Sequence, residues 1–184
     1  MRLFVAVPIT EPARGEIARM LERLRSCDWP VRWVRDEGLH VTLKFYGEVA
    51  PERLEVIEES VRYAAEGVGP IPLRLTDLGA FPSKTRPRVL WVGLDAPAAL
   101  ELLQDRLERS GEEIGFAPEG RPFRPHVTLG RVREAHRLPA RALEGFEGMI
   151  DKLPFLAERI VLYESLLGPR GPRYEPRLTL PFTA

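Results

Sequence analysis

The chain has 184 residues, 44% of them hydrophobic, with 27 basic groups against 27 acidic ones, which suits one compact domain. A formal charge of zero rules out nucleic-acid binding by bulk charge, and a single cysteine, Cys27, rules out an internal disulfide and a cysteine-rich metal site. The longest apolar runs, residues 3–9 and 89–94, are strand-length and too short to span a membrane.

The first residues lack the cationic, apolar and small-residue order of a secretion signal, so a cytoplasmic location is expected. The 24 arginines against three lysines, 18 prolines, one glutamine and absence of asparagine fit a heat-adapted protein, or a codon bias. Charge is uneven along the chain. Lys84, Arg86 and Arg88 cluster without an acid, as do Arg124, Arg131 and Arg133, and Arg170, Arg173 and Arg177 face only Glu175. Basic loops beside acidic helices can bind anions while the whole molecule stays neutral.

In chain order, residues 3–9 read as a strand and 11–25 as a helix, with Ile17, Leu21 and Leu24 inward and Thr10 as N-cap. Residues 31–34 and 40–46 read as strands, and 51–65 as a second helix carrying Leu54, Ile57 and Val61 on one face. Strands are expected over 71–78 and 89–94, a third helix over 97–110 and a strand over 126–132. A short helix over 140–149 and strands over 155–163 and 177–182 complete the series.

This order repeats. Moved by 86 residues, Arg2-Leu3-Phe4-Val5-Ala6 falls on Arg88-Val89-Leu90-Trp91-Val92, and His40-Val41-Thr42-Leu43 falls on His126-Val127-Thr128-Leu129. One gapless offset thus predicts a duplicated strand–helix–strand–helix unit, with repeats of about 1–87 and 88–184 forming one pseudo-symmetric α+β domain.

Residues two apart on a strand share a face, so His40 and Thr42 point one way, and His126 and Thr128 do the same. If pseudo-twofold symmetry brings the strands together, two imidazoles and two hydroxyls converge. Such a set suits phosphoryl chemistry. A neutral imidazole accepts a proton, a charged one donates, and the hydroxyls donate hydrogen bonds to phosphate oxygens. Two of the three histidines lie in these runs, and His136 has no counterpart and reads as surface. No nearby Cys or carboxylate completes a zinc site, so no metal and no cofactor is expected.

At these residues the chain resembles the 2H phosphoesterase superfamily, and more closely the RNA 2′,3′-cyclic phosphodiesterase family, first named 2′–5′ RNA ligases (LigT-like). The runs that carry it are Arg2-Leu3-Phe4-Val5-Ala6-Val7 and Leu39-His40-Val41-Thr42-Leu43-Lys44-Phe45-Tyr46-Gly47 in the first repeat. Arg86-Pro87-Arg88-Val89-Leu90-Trp91-Val92-Gly93 and Phe123-Arg124-Pro125-His126-Val127-Thr128-Leu129-Gly130-Arg131 carry it in the second.

The resemblance implies a two-lobed fold with antiparallel sheets lining a central cleft and helices outside. It also implies hydrolysis of terminal RNA 2′,3′-cyclic phosphate to a 2′-phosphate, with 2′–5′ ligation as a related activity. His40 would be the proton donor and His126 the acceptor, a split that rests on the resemblance alone; Thr42 and Thr128 would hold the phosphate. The expected partners are RNA ends, tRNA-like or other, with no membrane, and the expected state is a monomer.

Arg131 follows the second motif, but plain alternation sets it opposite His126, leaving phosphate contact and a structural ion pair both open. Lys44 and Tyr46 share His40's face by the same rule. Phe45, Phe81, Trp91 and Phe123 could stack bases, with core packing the default for Phe45 and Trp91. The basic turns at 84–88 and 170–177 are expected to flank the cleft. Two alternatives remain: the same site acting on small cyclic nucleotides or ADP-ribose cyclic phosphate, and an RNA-end binding module without turnover.

Overall fold

A computed structural model describes residues 1–95, 97–168 and 171–183. Strand β1 (Arg2–Pro8) is buried almost throughout. Helix α1 (Ala13–Arg25) buries Ala13, Ile17, Leu21 and Leu24, the spacing that its sequence carries. Its N-cap is Pro12, whereas the Thr10 hydroxyl donates to the Leu156 carbonyl, so the helix starts two residues later than expected. Next come β2 (Val31–Trp33) and β3 (His40–Glu48), then a 3-10 turn at Pro51–Arg53 that leads into α2 (Leu54–Ala65). Strands β4 (Ile71–Phe81) and β5 (Val89–Leu94) precede α3 (Ala98–Glu113) and β6 (His126–Val132).

Residues 140–149 hold only a 3-10 turn at Glu144–Phe146, not the short helix expected. Arg141 (φ 64°) and Gly148 (φ 70°) adopt left-handed backbone that a continuous helix excludes. The strand expected over 155–163 is two strands, β7 (Pro154–Ala157) and β8 (Arg159–Gly168), which join different neighbours. Strand β9 (Gly171–Pro181) begins well before the expected boundary.

The sheet runs β7-β4-β5-β6-β3-β1-β8-β9, with β2 paired to β6. Its two halves meet where β3 pairs with β6 antiparallel, at Val41 and Val127. Each half begins at that seam with a histidine strand, followed by β1 or its counterpart β5. The fold is the expected duplicated α+β architecture.

The 86-residue offset holds between the histidine strands but is not gapless. Thr42 lies beside Ala6, and Thr128 beside Trp91, so equivalents in β1 and β5 stand 85 apart. One strand further out, Phe4 pairs with Tyr163 and Val89 with Phe81, equivalents 82 apart.

One continuous apolar cluster joins α1, α2 and α3 to the sheet. Lys44 lies within it, 2% exposed, with its ammonium 2.6 Å from Glu108 on α3. Gly111 makes room for this side chain, since a Cβ there would sit 2.3 Å from Lys44 Cε. Among the described residues no helix is long and apolar enough to cross a membrane.

Candidate active site

The seam sets the geometry. With Val41 opposite Val127 on antiparallel strands, His40 falls opposite Thr128 and Thr42 opposite His126. The four side chains point away from the buried Val41, Leu43, Val127 and Leu129.

Each imidazole is held in the same way. His40 Nδ1 is 2.7 Å from the Gly38 carbonyl, and His126 Nδ1 is 2.7 Å from the Arg124 carbonyl. A carbonyl only accepts, so each Nδ1 carries a hydrogen. Each Nε2 is thereby left as the position that takes up or releases a proton.

Aromatic rings pack around both histidines. The Phe4 ring lies 4.9 Å from His40, and Tyr174 meets it edge-on at 5.1 Å. Phe81 meets His126 edge-on at 5.0 Å, with Trp91 at 6.1 Å. Burial pushes His40 down from 6.5 to about 4, with the nearby His126 adding to the effect. Burial also lowers His126, and the Arg131 charge contributes. Both shifts favour the neutral imidazole in the free protein.

A cavity of about 590 Å³ opens on this face. His40, Thr42, Thr128 and Arg131 line it, and His126 is not among the lining residues. Of the other lining residues, Arg2, Arg32, Arg35 and Arg173 are cationic and Glu37 is the acid.

Two β-bulges decide which residues reach the cavity. The β1–β3 register slips between Lys44 and Thr42, leaving Leu43 as an extra residue. The flip sends Lys44 into the core and Phe45 outward, 50% exposed, with the Arg2 guanidinium 5.0 Å from its ring centre. Lys44 and Tyr46 consequently do not share the His40 face as alternation implied. Tyr46 is buried and packs edge-on against Phe116. Phe45, expected in the core, is a cavity residue.

The equivalent slip at Leu129 brings Arg131 to the Thr128 side, so the arginine that alternation set opposite His126 lies in the cleft. Trp91 is half-buried beside His126, across Gly79, where a Cβ would meet its ring at 2.1 Å. Phe123 packs against the core.

The described part of the 170–177 turn does flank the cavity, through Gly171, Pro172, Arg173 and Tyr174, whereas the 84–88 turn does not line it. Lys84 pairs with Glu147, the Arg88 guanidinium donates to the His136 carbonyl, and Arg177 pairs with Glu164. Arg170 lies outside the described residues. His136 is exposed and away from the cavity.

Arg2, Arg32, Arg35, Trp33 and Tyr174 were not singled out as site residues. Arg2 and Phe4 alternate on β1, which is the one sequence signal that could have pointed to them. The three-residue β2 is too short to show which way it faces. Among the described residues no three His, Cys, Asp or Glu side chains cluster as metal ligands would.

The family model described as LigT like Phosphoesterase matches twice, at residues 7–91 and 92–174. The RNA 2′,3′-cyclic phosphodiesterase of Methanothermobacter thermautotrophicus is 34% identical over 175 residues, covering 95% of each chain. The crystal structure of TT0787 of Thermus thermophilus superposes with a TM-score of 0.84 at 28% identity, over 99% of this chain and 98% of that one. Escherichia coli LigT complexed with 3′-AMP gives 0.76 at 26% identity, over 100% and 98%. The duplicated sheet, its two histidine strands and these likenesses converge, and the chain belongs to the LigT-like phosphoesterase family.

Proposed function

We propose that the chain hydrolyses 2′,3′-cyclic phosphates at RNA ends to 2′-phosphomonoesters, with His40 and His126 as the acid–base pair and without a metal. The observation that carries this reading is the crossed quartet at the seam, in which each histidine lies opposite the other strand's threonine. The name of the Methanothermobacter relative supports the substrate, and the nucleotide complex of E. coli LigT supports a nucleotide in this cleft.

In this mechanism His126 Nε2 takes a proton from water as its oxygen attacks phosphorus. The P–O3′ bond breaks, and Nε2–H of His40 gives its proton to O3′. The Thr42 and Thr128 hydroxyls donate to the non-bridging oxygens as negative charge grows there. Arg131 adds positive charge on the same wall, and Phe45 offers an exposed ring to the terminal base. The anionic phosphate raises the pKa of the imidazole beside it, supplying the charged form that the free protein disfavours. Replacing water by an RNA hydroxyl turns the same steps into 2′–5′ bond chemistry.

The test is hydrolysis of an oligoribonucleotide ending in 2′,3′-cyclic phosphate, with chelator present. The wild type should release the 2′-phosphate, while His40→Ala and His126→Ala should each lose on the order of 10²–10⁴-fold in kcat. Full activity in both variants would refute the mechanism. A binding module would retain the oligonucleotide without turnover.

A further inference from the structure

Arg32 and Arg131 are direct cross-strand partners where β2 pairs with the end of β6, and both line the cleft. Like charges set directly opposite each other destabilise a sheet. Elsewhere on this surface guanidinium groups sit beside carboxylates, as Arg25 does with Asp36, Arg121 with Glu119 and Arg173 with Glu175. Among the described residues neither Arg32 nor Arg131 has a carboxylate oxygen within 4.0 Å, and the same holds for Arg2 and Arg35 in the same cavity. A cyclic phosphate carries a single negative charge. Four unpaired guanidinium groups, opposed within the lining by Glu37, exceed what that charge can neutralise.

The neighbour of Arg32 adds a second feature. The Trp33 indole stacks on Trp29 at 6.5 Å and 29°, and Trp29 is braced edge-on by Phe146. Gly130 lets the indole approach β6, since a Cβ there would sit 2.8 Å from the Trp33 ring. The indole thus packs beside Val31 against the core, on the face of β2 opposite Arg32, and anchors the strand that carries Arg32 to β6.

We propose that Arg32 and Arg131 form a second phosphate subsite, which holds the internucleotide phosphate one nucleotide upstream of the cyclic end. Arg131 stands three residues beyond Thr128 on β6, at most about 10 Å along extended backbone. The bulge at Leu129 shortens this span, which leaves consecutive phosphates of one strand within reach of Thr128 and of the arginine pair. Planar guanidinium forks suit phosphodiester oxygens, and an anion between them relieves their repulsion. The subsite rests on the hydrolytic reading above and extends it: the preferred end carries at least one internucleotide phosphate.

The experiment compares a nucleoside 2′,3′-cyclic phosphate with a dinucleotide bearing the same cyclic end. Wild type, Arg32→Gln and Arg32→Lys are each assayed on both. The wild type should favour the dinucleotide in kcat/KM. Arg32→Gln should reduce the dinucleotide-to-nucleoside ratio about tenfold, chiefly through KM, and Arg32→Lys should recover part of it. A ratio unchanged by Arg32→Gln, or equal efficiency of the wild type on both substrates, overturns the subsite.

A second arm measures binding of a dinucleotide ending in 2′-phosphate against salt concentration, which requires no turnover. The slope of log Kd against log salt should become shallower by about 0.7 in Arg32→Gln. An unaltered slope overturns the subsite. Failure of the wild type to hydrolyse either substrate would instead overturn the hydrolytic reading, and the binding arm would then judge the subsite alone.

Discussion

A histidine serves best as a general acid when its pKa lies near the working pH, and in the free protein His40 stands well below that range. Burial against Phe4 and Tyr174 lowers His40 to about 4, and burial against Phe81 and Trp91 lowers His126. Two consequences follow for pH. The unfolded chain binds a proton at this position near pH 6.5, while the folded chain resists it until about 4. Stability from this group is full above about 6.5 and falls as pH drops through that window, levelling below it. The loss at His40 is on the order of 3 kcal/mol. Denaturant midpoints measured between pH 7 and 4 should therefore slope less steeply in His40→Gln than in the wild type; equal slopes would contradict the depressed pKa. Activity should show the same depression. The bell of kcat/KM, which reports the free protein, should centre below pH 6.5, and that of kcat should lie at higher pH because bound phosphate favours the charged imidazole. Both limbs belong to the pair and not to one histidine.

At the scale of the strand, the two bulges convert a regular sequence pattern into a site. Plain alternation correctly places His40 with Thr42 and His126 with Thr128, because both pairs precede the extra residue. It fails at Lys44, Phe45 and Arg131, which follow it. Nothing in the local sequence distinguishes Leu43 or Leu129 as bulged, since either leucine fits an ordinary buried strand position. The slip is fixed by pairing with β1 and β5, a tertiary property. Lys44 tests this account directly. Its ammonium neutralises Glu108, which also accepts from Gln104 and from the Glu119 backbone N–H. Lys44→Met should cost about 3 kcal/mol in chemical denaturation by leaving that carboxylate without its cation. KM of the folded enzyme should remain near that of the wild type, whereas a lysine that touched substrate would raise it. The helices were more legible than the strands because Ile17, Leu21 and Leu24 bury one face of α1 whatever the sheet does.

At the scale of the molecule, the sequence repeat and the halves of the sheet are not the same objects. Strand β4, from the first repeat, lies between β5 and β7 of the second. Strand β8, from the second, pairs with β1 of the first, and β2 of the first pairs with β6 of the second. Periodicity reveals the repeat but carries no record of which edge a strand joins, so this exchange was not legible. Cutting between 87 and 88 would sever the β4–β5, β4–β7, β1–β8, β2–β6 and β3–β6 pairings together. Among the described residues, fragment 1–87 would keep only the β1–β3 pairing, and fragment 88–184 only β5–β6 and β8–β9. The packing of α2 against α3 would be lost as well. A two-stranded ribbon with half of its apolar cover removed is marginal in water. Each fragment alone should therefore show little cooperative unfolding by circular dichroism, and mixing the two should restore structure and phosphodiesterase activity in equimolar proportion. The intact chain should unfold in one transition, because the exchanged strands bind its halves into a single cooperative unit. An isolated fragment that melted cooperatively would show that the repeat folds as its own lobe.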